Sequence, residues 1–116
     1  NKHIHIKGSP ERYRDLVYID DVVTAFETAL YSSLPGYSFF NISTDKKTEV
    51  GELVKLIINA LPYEVSTDFS GATPGDVHGY TGKSNKAKEI LGWTPVVEIE
   101  EGVQNMVSWA LNVRSN

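Results

Sequence analysis

Residues 8 to 22, reading Gly-Ser-Pro-Glu-Arg-Tyr-Arg-Asp-Leu-Val-Tyr-Ile-Asp-Asp-Val, constrain the fold more than any other stretch of this chain. Turn residues at Gly8-Ser9-Pro10 lead into two cations, Arg12 and Arg14. The apolar run Leu16-Val17-Tyr18-Ile19 follows and has strand character, and Asp20-Asp21 then stand where a helix begins. A strand that delivers Arg14 beside a helix start suits the capture of phosphate, because guanidinium forks and exposed amide N–H groups both favour anions.

The bulk properties limit which partners such a site can serve. A chain of 116 residues has room for one domain and one core. With 41% hydrophobic and 22% charged residues it reads as an ordinary globular domain. Its formal charge of −4 repels nucleic acid and anionic membranes, so neither is expected as a partner. Any phosphate must then be held by local cations, and Arg12 and Arg14 are such a pair. The absence of cysteine excludes disulfides, thiolate zinc sites and a cysteine nucleophile, and it fits a cytoplasmic location. Apolar runs are far too short to span a bilayer, and no signal-peptide pattern is present. The chain opens at Asn1 and runs at once into alternating residues, which suggests a piece of a longer polypeptide.

Along the chain, His3-Ile4-His5-Ile6-Lys7 alternates as a half-buried strand does, and Leu16–Ile19 reads as a second strand. Asp20 or Asp21 caps a helix whose apolar face is Val22, Phe26, Ala29 and Leu30. Residues 38–43 are aromatic and β-branched enough for another strand. Thr48 is the expected cap of a helix burying Val50, Leu53, Val54, Ile57 and Leu61, stopped by Pro62. A short strand over 63–69 precedes a glycine-rich loop from Ser70 to Gly82, the segment best suited to face a ligand. A short helix then starts at Ser84 and ends at Gly92, Trp93-Thr94-Pro95 turns a corner, and a last helix runs from about Ile99 to Asn112. The order of elements gives a single α/β (α+β) lobe with short strands and about four helices.

Three groups of residues bear on chemistry. Arg14 offers a planar donor fork for phosphate, although spacing alone allows a structural ion pair with its neighbour Asp15. Pro74-Gly75 fixes a tight turn that projects the Asp76 carboxylate, which can accept sugar hydroxyls or close an Asx-type turn. Asp20-Asp21 is read as a helix start rather than an acid/base pair. His3 and His5 have His-x-His spacing, but no third ligand stands near them in sequence, and no metal is expected. His78 and Tyr80 lie in the ligand-facing loop.

Three ordered segments resemble the carboxyl-terminal part of the extended short-chain dehydrogenase/reductases, the nucleotide-sugar epimerases and dehydratases. Residues 8–22 resemble their G-x-G-x-x-x-R-D-F-V-Y-V-D-D-V segment, Thr73-Pro74-Gly75-Asp76-Val77 resembles R-P-G-D-V, and Ser84 to Pro95 resembles S-K-A-K-E-L-L-G-W-x-P. The resemblance implies that Arg14, with Arg12 beside it, meets the diphosphate of a nucleotide sugar and that Asp76 meets its ribose. Where the family carries Arg, this chain has Thr73. Arg12, Arg14 or Lys83 then takes over the lost charge, or the ligand is held differently.

The family's nicotinamide loop needs a G-x-G-x-x-G-like turn, and its proton transfer needs Tyr-x-x-x-Lys; this chain contains neither. The resemblance therefore implies that NAD and the catalytic residues belong to an upstream Rossmann domain, with no cofactor and no catalytic residue here. That upstream half is then a partner of this lobe, together with the nucleotide-sugar substrate; the parent is expected to be a homodimer and the fragment a monomer. Two rival readings are a stand-alone nucleotide- or sugar-phosphate-binding module and an interaction domain that self-associates through Met106 on the last helix.

Overall fold

A computed structural model describes residues 2–115. Two small sheets are spread along the lobe. Strand β1 (Lys2–Lys7) pairs in parallel with β4 (Val65–Ser70), in a register that sets His5 opposite Asp68 and Lys7 opposite Ser70. Strand β2 (Tyr13–Arg14) pairs antiparallel with β3 (Thr48–Glu49), Arg14 opposite Thr48. Helices α1 (Ile19–Leu30), α2 (Val50–Ala60) and α3 (Ile99–Arg114) and a π-helical turn (Ala87–Leu91) complete the lobe.

The buried centre lies around Trp93, which is 2% exposed and packs with Ala25 of α1 and Ala87 of the π-helical turn. Val17, Phe40, Ile42 and Leu91 close over this group. Gly92 ends the π-helical turn in the left-handed region, at φ 69°, and so directs the next residue inward. The indole Nε1–H donates to the carbonyl of Asp21 at 2.9 Å, while the Asp21 carboxylate accepts the amides of Val96 and Val97 at 3.1 and 3.0 Å. One buried acid thus fastens the corner after Trp93 to the first turn of α1. On the other side of the lobe, Val103 and Val107 are buried on α3, and Gly102 receives the Tyr18 ring, which a Cβ at that position would meet at 3.1 Å.

Several expectations from the sequence are corrected by these contacts. Neither Asp20 nor Asp21 caps α1: the helix starts after Tyr18 with no side-chain cap, and Asp21 is turned to Val96 and Val97. Thr48 does not cap α2 either; it lies in β3, and Glu49 stands at the cap position. Residues 16–18 and 38–43 have strand-like composition but form no strand, because a strand needs a ladder partner and none lies beside them among the described residues. On α1 the buried positions are Asp21 and Ala25, whereas Phe26 and Leu30 are 74% and 76% exposed. Phe26 instead borders an open groove of about 220 Å³ shared with Val22, Phe39, Phe40 and Ile42.

The lobe is flat and open. Its extents are 55 × 37 × 19 Å and its radius of gyration is 17.1 Å, where a compact domain of this length has about 13 Å. It exposes 8262 Å², where a compact monomer of its mass exposes about 6,300 Å². Among the described residues no helix is long and apolar enough to cross a membrane.

Candidate functional site

The site forms where the β1–β2 turn, β2 and the loop after β4 meet. Gly8 turns the chain at φ 104°, and the Arg12 guanidinium lies flat against it, so close that a Cβ there would sit 2.6 Å from Cζ. Two backbone carbonyls fix the Arg12 plane: Nε donates to Ser9 O at 3.0 Å and Nη2 to Lys7 O at 2.9 Å. Arg14, two residues on, is fixed the same way, its Nη1 donating to Tyr13 O at 2.8 Å and to Val77 O at 2.9 Å. The Tyr80 ring lies 5.5 Å from the Arg14 guanidinium carbon.

Asp76 reaches both cations. The turn Thr73-Pro74-Gly75-Asp76 closes with the Asp76 amide donating to Thr73 O at 3.0 Å, and Gly75 supplies the φ of 79° that such a turn needs at its third position. The carboxylate so presented takes Arg14 Nη2 on Oδ1 at 2.6 Å and Arg12 Nη1 on Oδ2. The Arg12 hydrogen bond, reinforced by the positive field of both guanidinium groups, outweighs desolvation and holds the Asp76 carboxyl below its usual range. Three residues singled out from sequence, Arg12, Arg14 and Asp76, thus share one cluster, with Asp76 62 positions from Arg14. Thr73 opens this same turn, and Lys83, considered for the missing charge, is paired with Asp45 at 3.1 Å.

Asp15 does not pair with Arg14. Its carboxylate accepts the Thr44 amide at 2.8 Å, the Thr44 hydroxyl, the Asp45 amide at 2.9 Å and the Gly82 amide at 3.1 Å. It therefore ties both ends of the site's surroundings, the 44–45 turn and the close of the 70–82 loop, to the end of β2. Burial pushes the Asp15 carboxyl up, but the bonds from Thr44, Gly82 and Asp45 together prevail and hold it down. A carboxyl lowered by folding stabilises the fold fully above the ordinary carboxylate range and loses that contribution as pH falls through its folded value. The Asp15→Asn variant is accordingly expected to show a shallower loss of stability between about pH 5 and pH 2 than the parent, read from denaturant midpoints. An unchanged acid limb would remove Asp15 from the acid response.

His3 and His5 do turn to the same side of β1, and both meet Asp68 of β4: His3 Nε2 at 2.7 Å and His5 Nδ1 at 2.8 Å, with Ser66 and Ser70 on the far ring nitrogens. The hydrogen bonds from His5 and then His3 hold the Asp68 carboxyl low. His78, exposed, meets the Tyr13 ring edge-on with ring centroids 5.7 Å apart. Sequence reasoning missed Asp68 and Asp21 as anchoring acids; for Asp68 the register of β4 against the two histidines was the available signal.

A flat α/β lobe that brings two guanidinium groups and one carboxylate together fits the resemblance to the carboxyl-terminal part of the extended short-chain dehydrogenase/reductases. Comparison with known proteins agrees: the family described as GDP-mannose 4,6 dehydratase matches residues 1–106, and the chain belongs to it. The dTDP-D-glucose 4,6-dehydratase of Mus musculus is 34% identical over 116 residues, covering 94% of this chain and 32% of that protein. The UDP-glucose 4-epimerase of Thermotoga maritima, solved with UDP-glucose, is 36% identical with a TM-score of 0.86, over 97% of this chain and 36% of that one. MoeE5, solved with UDP-glucuronic acid and NAD, is 25% identical with a TM-score of 0.87, over 96% of this chain and 37% of that one. The chain spans about a third of the length of these relatives.

Proposed function

We propose that residues 1–116 form the C-terminal substrate-binding lobe of an NAD-dependent nucleotide-sugar epimerase or dehydratase acting in the cytoplasm. Arg14, supported by Arg12, binds the diphosphate, and Asp76 orients the nucleotide ribose. The observation that carries this reading is the meeting of Arg12, Arg14 and Asp76 in one cluster, each held in place by the turns around it. A charge-assisted bond from a fixed guanidinium contributes about 1.5–3 kcal/mol, and its fixed plane adds orientation. Binding energy spent on the nucleotide, remote from the reacting carbon, places the sugar for chemistry.

NAD does not fit the residues described here. The helix starts have Tyr18, Glu49 and Glu98 at their caps, with Glu100 and Glu101 following on α3, a setting that repels a pyrophosphate. Gly51, in the first turn of α2, is covered by Pro10, whose Cβ would lie 3.1 Å from an added methyl. We assign NAD and the redox step to an upstream Rossmann domain, the partner that this lobe's open shape calls for. The roughly 2,000 Å² that this lobe exposes beyond a compact monomer is the scale of a permanent interface. Exposed Phe26, Leu30, Tyr31 and Phe39 give that surface the apolar character such an interface needs. The parent enzyme is then a homodimer assembled through that other half.

A thermal-shift screen of UDP-, dTDP-, GDP- and CDP-sugars on the full-length protein with NAD tests the reading, since a ligand of the folded state raises its melting temperature. At least one nucleotide sugar is expected to raise it, and none doing so would end the proposal. Calorimetry of residues 1–116 alone is expected to show no tight NAD binding. Tight binding there would overturn the division of labour and favour a self-sufficient module.

A further inference from the structure

We infer that Asp76 is a built-in substitute for the ligand's phosphate. It fills the place between Arg12 and Arg14 until a molecule carrying both a diphosphate and ribose hydroxyls displaces it, and so excludes simple anions from the site. This inference rests on the site reading above and concerns how that site chooses its ligand.

The geometry sets the exchange out. Each Asp76 oxygen is taken by one guanidinium, the arrangement in which a bridging phosphate would be held. Arg14 has five N–H donors; two are spent on Tyr13 O and Val77 O and one on Asp76, and five less three leaves two unspent. Both carbonyls lie outside the 71–76 tip, Tyr13 in β2 and Val77 beside the anchored His78, so the Arg14 plane is held from there when the carboxylate leaves. The loop is built to let it leave. Among the described residues, the only polar tie from the tip, Gly71 to Asp76, to the rest of the lobe is the Asp76 carboxylate, because the Asp76 amide bonds inside its own turn. The segments on either side are anchored separately, by Gly8 N to Ser70 O at 2.9 Å and by Tyr13 N to His78 O at 3.0 Å. The tip can therefore lift between two fixed points.

Two guanidinium groups and one carboxylate leave a net charge of +1 at the site. A free phosphate or pyrophosphate must displace a carboxylate tethered beside its partners, which competes at high effective concentration. A nucleoside diphosphate must displace it too, but its ribose hydroxyls offer the freed Asp76 oxygens new donors. Asp76 thus exchanges an arginine for a ribose when the correct ligand arrives, and has nothing to exchange for when a bare anion does.

Calorimetry on the full-length protein with inorganic pyrophosphate and with UDP tests this. Asp76→Asn keeps the shape and removes the charge, and it is expected to bind pyrophosphate about tenfold more tightly than the parent. The preference for UDP over pyrophosphate should fall by about the same factor. Unchanged or weaker pyrophosphate binding in Asp76→Asn, with both ligands lost in Arg14→Ala, overturns the substitution role and leaves the site reading standing. If Arg14→Ala binds both as the parent does, the site reading itself falls. Should Asp76→Asn disturb folding, hydrogen exchange on the parent decides the question. Pyrophosphate should speed exchange of residues 71–76 and UDP should slow it relative to pyrophosphate, whereas identical exchange with the two ligands refutes the inference.

Discussion

Trp93→Ala is expected to destabilise the lobe by about 3–5 kcal/mol, the cost of emptying a large aromatic site in a packed centre. The position is severe for two reasons that act together. Its ring is the contact shared by α1, the π-helical turn and the segment around Phe40 and Ile42, so a cavity there is lined by elements that cannot all close in. Its Nε1–H also donates to the Asp21 carbonyl, a buried hydrogen bond that truncation removes. Val113→Ala, at a position 55% exposed near the end of α3, should change stability by no more than about 0.5 kcal/mol and serves as the control. Guanidinium midpoints on the full-length protein measure both, and equal midpoints for the two variants would contradict the placement of the core.

The second large effect concerns binding. Arg14→Ala in the full-length protein should weaken nucleotide-sugar affinity by about 1.5–3 kcal/mol, on the order of ten- to a hundredfold, and leave NAD affinity unchanged. The separation is expected because every polar contact that fixes Arg14 comes from β2 and the loop after β4, none from a helix start able to hold a pyrophosphate. A parallel loss of NAD affinity would show that the arginine supports the whole enzyme rather than the nucleotide. Loss of neither would exclude it from the site.

The sequence was readable where the signal is local. Gly92 followed by Trp93 announces a left-handed stop and an inward aromatic, and both are found. Helix α3 starts at the expected Ile99 and runs two residues past the expected Asn112, because nothing in Val113-Arg114 breaks it. Residues 16–19 and 38–43 were misread for one physical reason: strand propensity is a preference for a pleated neighbour, and the neighbour is not written in the segment. The acids were the least legible. Asp15 and Asp21 satisfy backbone amides that lie 67 and 75 residues away, at Gly82 and Val96, and no spacing rule links a carboxylate to an amide it meets only after folding. At the site, Arg12, Arg14 and Asp76 were singled out by the Pro74-Gly75 turn, the alternating arginines and the resemblance, but their bonding to one another was not read from the sequence, which offered Asp15 as the ion-pair partner of Arg14.

The aromatic stretch from Tyr37 to Ile42 bears on how this polypeptide behaves in the test tube. Backbone that pairs with no strand among the described residues, beside side chains such as Tyr37, 90% exposed, is a template on which a second molecule can align. Produced without a covering half, the polypeptide should gain turbidity with concentration and warmth. Charged residues in place of Tyr37 and Phe39 should keep it clear.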